Sequence, residues 1–142
     1  TLINLSLGTD QPSALLETLI RNSAEKGVVF LAAAGNTPTT APTYPAAFPQ
    51  VTAVTAGSPN GTLASFANRG AFVDAVGPAT ARVSYGGSTW MVSGTSPATA
   101  FMSGLTAGLA SSSGTAPRVA VQSVVNRFPF NPGLAGGTSS SR

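Results

Sequence analysis

The sequence predicts an α/β fold built on a parallel sheet, and three observations carry that reading. The strand-like stretch Leu2-Ile3-Asn4-Leu5-Ser6-Leu7-Gly8 is followed by apolar residues at helical spacing and then by a second strand-like stretch, Val28 to Ala34. Strand, helix and strand in succession form a βαβ unit, whose crossover makes the two strands parallel. The second stretch is apolar at every position, as strands buried on both faces are. Glycines then close these stretches at Gly8 and Gly35, and open α/β sheets bind ligands beyond such strand ends.

The elements follow in order. After Gly8, Asp10 or Ser13 can cap a helix and Pro12 suits its first turn. Leu15, Leu16, Leu19, Ile20 and Ala24 recur at helical spacing over about fourteen residues, and Gly27 supplies the stop. Thr37 to Pro49, rich in Pro, Thr and Ala, is a surface loop. Val51 to Ala56 is a third interior strand. Between Ser65 and Ser93 the residues predict short strands at Phe66, at Phe72 to Val76 and at Trp90 to Val92, with a tight turn at Gly86-Gly87. Pro97 to Ala110 and Pro117 to Phe128 are two further helices, each with proline in its first turn. Asn131 to Arg142 is Gly- and Ser-rich and reads as a flexible tail.

Composition removes several function classes. With 42% apolar and only 8% charged residues the chain is globular, its polar surface drawn from Ser, Thr, Asn and Gly. Seven basic residues outnumber four acidic ones, but they are scattered and form no clustered basic face. A nucleic-acid partner would need one, and none is expected. The absence of cysteine excludes disulfides and thiolate metal sites. The longest apolar run, Val28 to Ala34, is too short to cross a bilayer, so no membrane partner is expected. Four scattered carboxylates offer no calcium cage, and no metal ligands are assigned. No signal peptide is visible; the first residues already read as a buried strand, in the middle of a fold.

Gly94-Thr95-Ser96, leading into an apolar helix, is the most informative stretch for chemistry. A serine among small residues at a strand-to-helix turn is accessible as a nucleophile, but it needs a general base, most often histidine. The chain has no histidine at all. Asn36 can present a side-chain amide to the strand-end crevice, as a developing oxyanion requires. Taken singly, these residues have ordinary readings. Ser96 alone is an N-cap, Asn36 alone is a strand-end residue that tolerates αL, and Asp74 is a surface-facing strand residue.

The motifs together resemble the subtilisin-like serine proteases, and within them the proteinase K group. The likeness is carried by Ser6-Leu7-Gly8, Ala33-Ala34-Gly35-Asn36, Ser65-Phe66-Ala67-Asn68-Arg69-Gly70, Gly77-Pro78, and Gly86-Gly87-Ser88-Thr89 leading into Ser93-Gly94-Thr95-Ser96. It runs from Leu2 to about Phe128 and covers the C-terminal half of the family's domain. The resemblance implies a three-layer parallel-sheet fold that is incomplete here, with residues 1–130 forming the C-terminal part of the peptidase domain and 131–142 a tail. It implies that Ser96 is the acylating nucleophile and that Asn36 and the Ser96 N–H form the oxyanion hole. Ser6, Leu7 and Gly8 would pair with a peptide substrate as an added strand. Ala33, Ala34 and Gly35 would form a wall of the pocket before the scissile bond. The triad order along such chains is Asp, His, Ser, so Asp and His are expected from an N-terminal part that also covers the open side of the Leu2 strand. The chain alone is then expected to be inactive. The resemblance further implies secretion and makes calcium binding possible.

The chain departs from the family at three places. Ala100-Phe101 stands where Pro-His is usual, and Pro97 stands where Met commonly follows the nucleophile. These departures leave a second expectation open, a non-catalytic peptide-binding module that keeps the cleft and no longer cuts.

Overall fold

The computed structural model describes residues 1–58, 60 and 62–132. The expected tail lies, from residue 133 onward, outside the described residues. Nine elements follow one another: β1 (Leu2–Leu5), α1 (Ala14–Glu25), β2 (Val29–Ala33), β3 (Val51–Gly57), β4 (Ala75–Pro78), β5 (Thr80–Tyr85), β6 (Ser88–Ser93), α2 (Thr95–Ser113) and α3 (Pro117–Arg127). β1 to β4 form one parallel sheet in sequence order, with Leu5 beside Ala32, Ala33 beside Val54 and Val54 beside Ala75. The predicted α/β class and the parallel βαβ unit are both present.

Alternation along the central strands builds three layers. Val29 and Leu31 of β2, with Val54 and Ala56 of β3, face Ala98 and Met102 of α2 and Val121 and Val124 of α3. Phe30, Ala32, Val51 and Ala53 face the other way, onto Ile20 and Ala24 of α1 and the Ala46–Phe48 loop. A strand that buries both faces is therefore apolar throughout, as the Val28 to Ala34 run suggested. Met102 is fully buried at the centre of the α2 layer. Met102→Ala is expected to lower unfolding stability by about 2–5 kcal/mol, because a core cavity adds to the lost transfer energy. Denaturant titration with an unchanged m-value checks this; a loss below about 1 kcal/mol would contradict the packing described.

Several elements differ from the sequence expectation, each for a local reason. Helix α1 starts at Ala14, two residues after Pro12, because Ser13 is the N-cap and its Oγ accepts the Leu16 N–H at 3.3 Å. Asp10 is therefore not used as a cap. Phe66 lies in a turn rather than a strand, and Phe72 to Asp74 precede β4, whose first residue is Ala75. The predicted Gly86-Gly87 turn joins β5 to β6, with Tyr85 opposite Ser88 and both glycines at positive φ (58° and 76°), as type I′ turns require. Helix α2 begins at Thr95, not at Pro97, so Ser96 lies inside its first turn and Gly94 is the N-cap.

Asp74 extends the β3–β4 ladder with its side chain, its Oδ2 accepting the Ala53 N–H at 2.7 Å. Desolvation raises its carboxyl above the ordinary 3.8, and the Ala53 hydrogen bond only partly offsets this. As pH rises through that window the unfolded chain loses its proton first, so the native state binds more protons and stability falls. Asp74→Asn retains an acceptor for Ala53 without the charge. The variant should gain on the parent protein as pH rises through the acid range, read as a difference in denaturation midpoint. A constant difference from pH 3 to 6 would refute it.

Among the described residues β1 has a strand on one side only, and Ile3 on it and Leu7 beyond it are exposed. No described helix is long and apolar enough to cross a membrane.

Candidate active site

β1 and β2 end side by side, and α2 begins beside them. Their junction forms a cleft of about 680 Å³ lined by residues from all three predicted segments: Ser6, Leu7 and Gly8; Ala33, Gly35 and Asn36; and Thr95 and Ser96. Ala34 does not line it. That residue is fully buried below the cleft, its carbonyl accepting from Asn68 Nδ2 and Thr43 Oγ1.

Asn36 is held by one end of its amide. Its Oδ1 accepts both the Thr95 N–H at 2.8 Å and the Thr95 Oγ1–H at 3.0 Å. Thr95 Oγ1 in turn accepts the Gly35 N–H at 3.1 Å. This fixes the side-chain torsion and turns Nδ2 outward, and among the described residues nothing accepts from Nδ2. The positive φ of this turn falls on Gly35 (108°), and no non-glycine residue among the described residues has one, so Asn36 is not the αL residue its type allows. A Cβ on Gly35 would lie 2.5 Å from Asn68 Nδ2, so glycine is required on steric grounds as well.

The start of α2 leaves one donor open. The first N–H groups of a helix have no intrahelical acceptor. Here the Thr95 N–H is taken by Asn36 Oδ1, and Pro97, third in the helix, has none. Gly94 contributes no side-chain cap. Among the described residues the Ser96 N–H is left without an acceptor, at the positive end of a 19-residue helix. The Ser96 hydroxyl is half-buried in the cleft and donates to the Ser6 carbonyl across 3.4 Å, a long bond.

A chain of side-chain bonds tethers this turn to β1. Ser103 Oγ–H donates to Asn4 Oδ1 (3.1 Å), Asn4 Nδ2–H to Ser6 Oγ (2.9 Å), and Ser6 Oγ–H to the Ser96 carbonyl (3.1 Å). Every donor points the same way, toward Ser96. Asn68, quoted above only as part of a motif, is buried and bonds both the Ala34 carbonyl (2.7 Å) and the Thr37 N–H (3.1 Å), bracketing the Gly35-Asn36 turn. Sequence reasoning gave no role to Asn68, Asn4, Ser103 or the Thr95 hydroxyl. Their polarity inside apolar segments was the available signal.

Residues 1–127 match the subtilase family, peptidase S8. The chain belongs to the subtilases. It is 40% identical over 106 residues to subtilisin BL of Lederbergia lenta, covering 73% of this chain and 39% of that one. Over 131 residues it is 36% identical to thermitase of Thermoactinomyces vulgaris, covering 89% of this chain and 47% of the relative. The chain thus spans less than half the length of the subtilases it matches. Among solved structures it is similar to a cold adapted subtilisin-like serine proteinase (TM-score 0.74, 32% identity, 85% of this chain and 45% of that one). It is also similar to the prenylagaramide maturation protease PagA (TM-score 0.75, 31% identity, 88% and 49%). The narrower likeness to the proteinase K group is carried by the motifs and not by these matches.

The three departures from the subtilase pattern lie off the cleft. Pro97 occupies the third helical position, where its missing N–H costs no hydrogen bond. Ala100 is exposed, and Phe101 lies against the groove between α2 and α3 with Leu105 and Phe128. Among the described residues no three His, Cys, Asp or Glu side chains come together, so these side chains do not form a cage for calcium.

Proposed function

We propose that this chain is part of the catalytic domain of a secreted serine endopeptidase. One observation carries the reading: Asn36 Nδ2 and the Ser96 N–H, at the positive end of α2, have no acceptor among the described residues, and Asn36 and Ser96 line the same cleft. Two donors available in one cleft suit an oxygen that gains negative charge during reaction. Subtilase membership supports peptide bonds as the substrate class.

Ser96 Oγ attacks the peptide carbonyl carbon while its proton passes to a histidine of the N-terminal part of the domain, which an aspartate of that part orients. The carbonyl oxygen becomes an oxyanion held by Asn36 and the Ser96 N–H. Collapse breaks the C–N bond, the leaving amine takes the proton, and the acyl group remains on Ser96. Water, deprotonated by the same histidine, then releases the acid and restores the hydroxyl. Ser6, Leu7 and Gly8 hold the substrate as an added strand, and Ala33 and Gly35, over Ala34, form the small-residue wall of the adjoining pocket. The N-terminal part pairs with the open edge of β1. This chain alone, without a base, is inert. The charge-poor, Ser- and Thr-rich composition suits an extracellular protein.

Fluorophosphonate labelling of the full-length protein, followed by intact mass and peptide mapping, tests the reading. Label on Ser96 is expected. An unlabelled Ser96 in a folded full-length protein would overturn it and leave the non-catalytic peptide-binding module.

A further inference from the structure

Among the described residues Asp10 is the only charged side chain lining the cleft. The structure frees it from the capping task its sequence position offers, since Ser13 and not Asp10 caps α1. Among the described residues no lysine or arginine bridges it, and its one side-chain partner is the Thr9 hydroxyl, which donates to Oδ1 at 3.4 Å. Its mount is firm. Thr9 and Tyr44 exchange both backbone hydrogen bonds at 2.8 Å, and the Gln11 N–H donates to Thr9 Oγ1 at 3.3 Å. A carboxylate exposed at the end of an otherwise neutral cleft, on anchored backbone, has no structural work to do. The chain around it carries a net charge of +3, so overall charge works against a cationic ligand and any preference for one must be local.

We propose that Asp10 is a specificity determinant that selects a lysine or arginine in the substrate strand. The inference rests on the endopeptidase reading above. A substrate lying along Ser6, Leu7 and Gly8 with its reacting carbonyl at Ser96 runs toward Asp10. Four residues of extended chain, at about 3.3 Å each, reach at most about 13 Å. Asp10 lines the same cleft as Ser96, so the basic residue is sought within that reach of the bond cut, on the side that pairs with Ser6–Gly8.

The test uses the full-length protein and peptides that differ only in one lysine, glutamine or glutamate, moved through those four positions. Exposed ion pairs predict a lysine-to-glutamine preference of up to about 5-fold in kcat/KM at one or two adjacent positions, carried by KM. It should shrink as salt rises above physiological strength. Asp10→Asn should bring the ratio to one, and Asp10→Lys should favour glutamate. A ratio near one at every position, or a lysine preference that survives in Asp10→Asn, overturns the proposal. If no peptide is cut and Ser96 stays unlabelled, the endopeptidase reading has failed instead. The same ratios are then read as peptide Kd by fluorescence polarisation, where a lysine preference abolished by Asp10→Asn supports the role of Asp10 and its absence refutes it.

Discussion

Ser96→Ala in the full-length protein is expected to lower kcat by about six orders of magnitude, with KM nearly unchanged, the loss measured for the equivalent step in subtilisin. The substitution removes the attacking oxygen and little else. The Ser96 hydroxyl makes a single long bond to the Ser6 carbonyl, and the tether from Ser103 through Asn4 and Ser6 ends on the Ser96 carbonyl, which alanine retains. The fold and the cleft should therefore persist. Residual activity comes from the donors at the start of α2 acting on a direct attack by water. Stopped peptide hydrolysis with intact peptide binding is the expected pair of results. A variant that keeps more than about a hundredth of the kcat would mean that Ser96 is not the nucleophile.

Asn36→Asp is expected to cost about 10²–10³ in kcat or more, again with KM held. The choice of aspartate isolates the donor. The introduced carboxylate could still accept from the Thr95 N–H and hydroxyl, as Asn36 Oδ1 does at 2.8 and 3.0 Å, so the turn keeps its anchor. What changes is the outward atom, from an N–H donor to an oxygen that repels the developing charge. Asn36→Leu loses donor and anchor together, and its kcat should fall at least as far while stability also drops. Comparing the two by kcat, KM and denaturation midpoint separates transition-state stabilisation from maintenance of the turn. Equal activity in Asn36→Asp and the parent protein would exclude the side-chain amide from the reaction.

Much of the fold was legible because the chain repeats a few strong physical statements. Val28 to Ala34 could only be an interior strand, and Gly86-Gly87 could only be a tight turn. The candidate site was legible as three separated segments, since each joins a strand to a glycine or a serine. What could not be read was how polar side chains connect those segments. Asn68 meets Ala34 across 34 residues, and Ser103 meets Asn4 across 99, and no local pattern reports such pairs. The start of α2 was misplaced because Pro97 is a strong first-turn signal, whereas Gly94-Thr95 is a start only because Asn36 supplies the cap from another element. Ala34 was assigned to the pocket wall from the family resemblance; in the structure it is fully buried, and its carbonyl accepts from Asn68 and Thr43.

Helix α2 packs across all four strands of the sheet, yet it comes after every one of them in the chain. During synthesis the sheet therefore emerges with one apolar face uncovered, and that face is covered only as α2 and then α3 are made. Ala98 and Met102 of α2, and after them Val121 and Val124 of α3, are the last residues of that core cluster to arrive. The strands have no stable resting place before then, and exposed strand faces invite association with other chains. Folding of this chain is thus timed by α2 and α3, with the candidate nucleophile carried on the first of them.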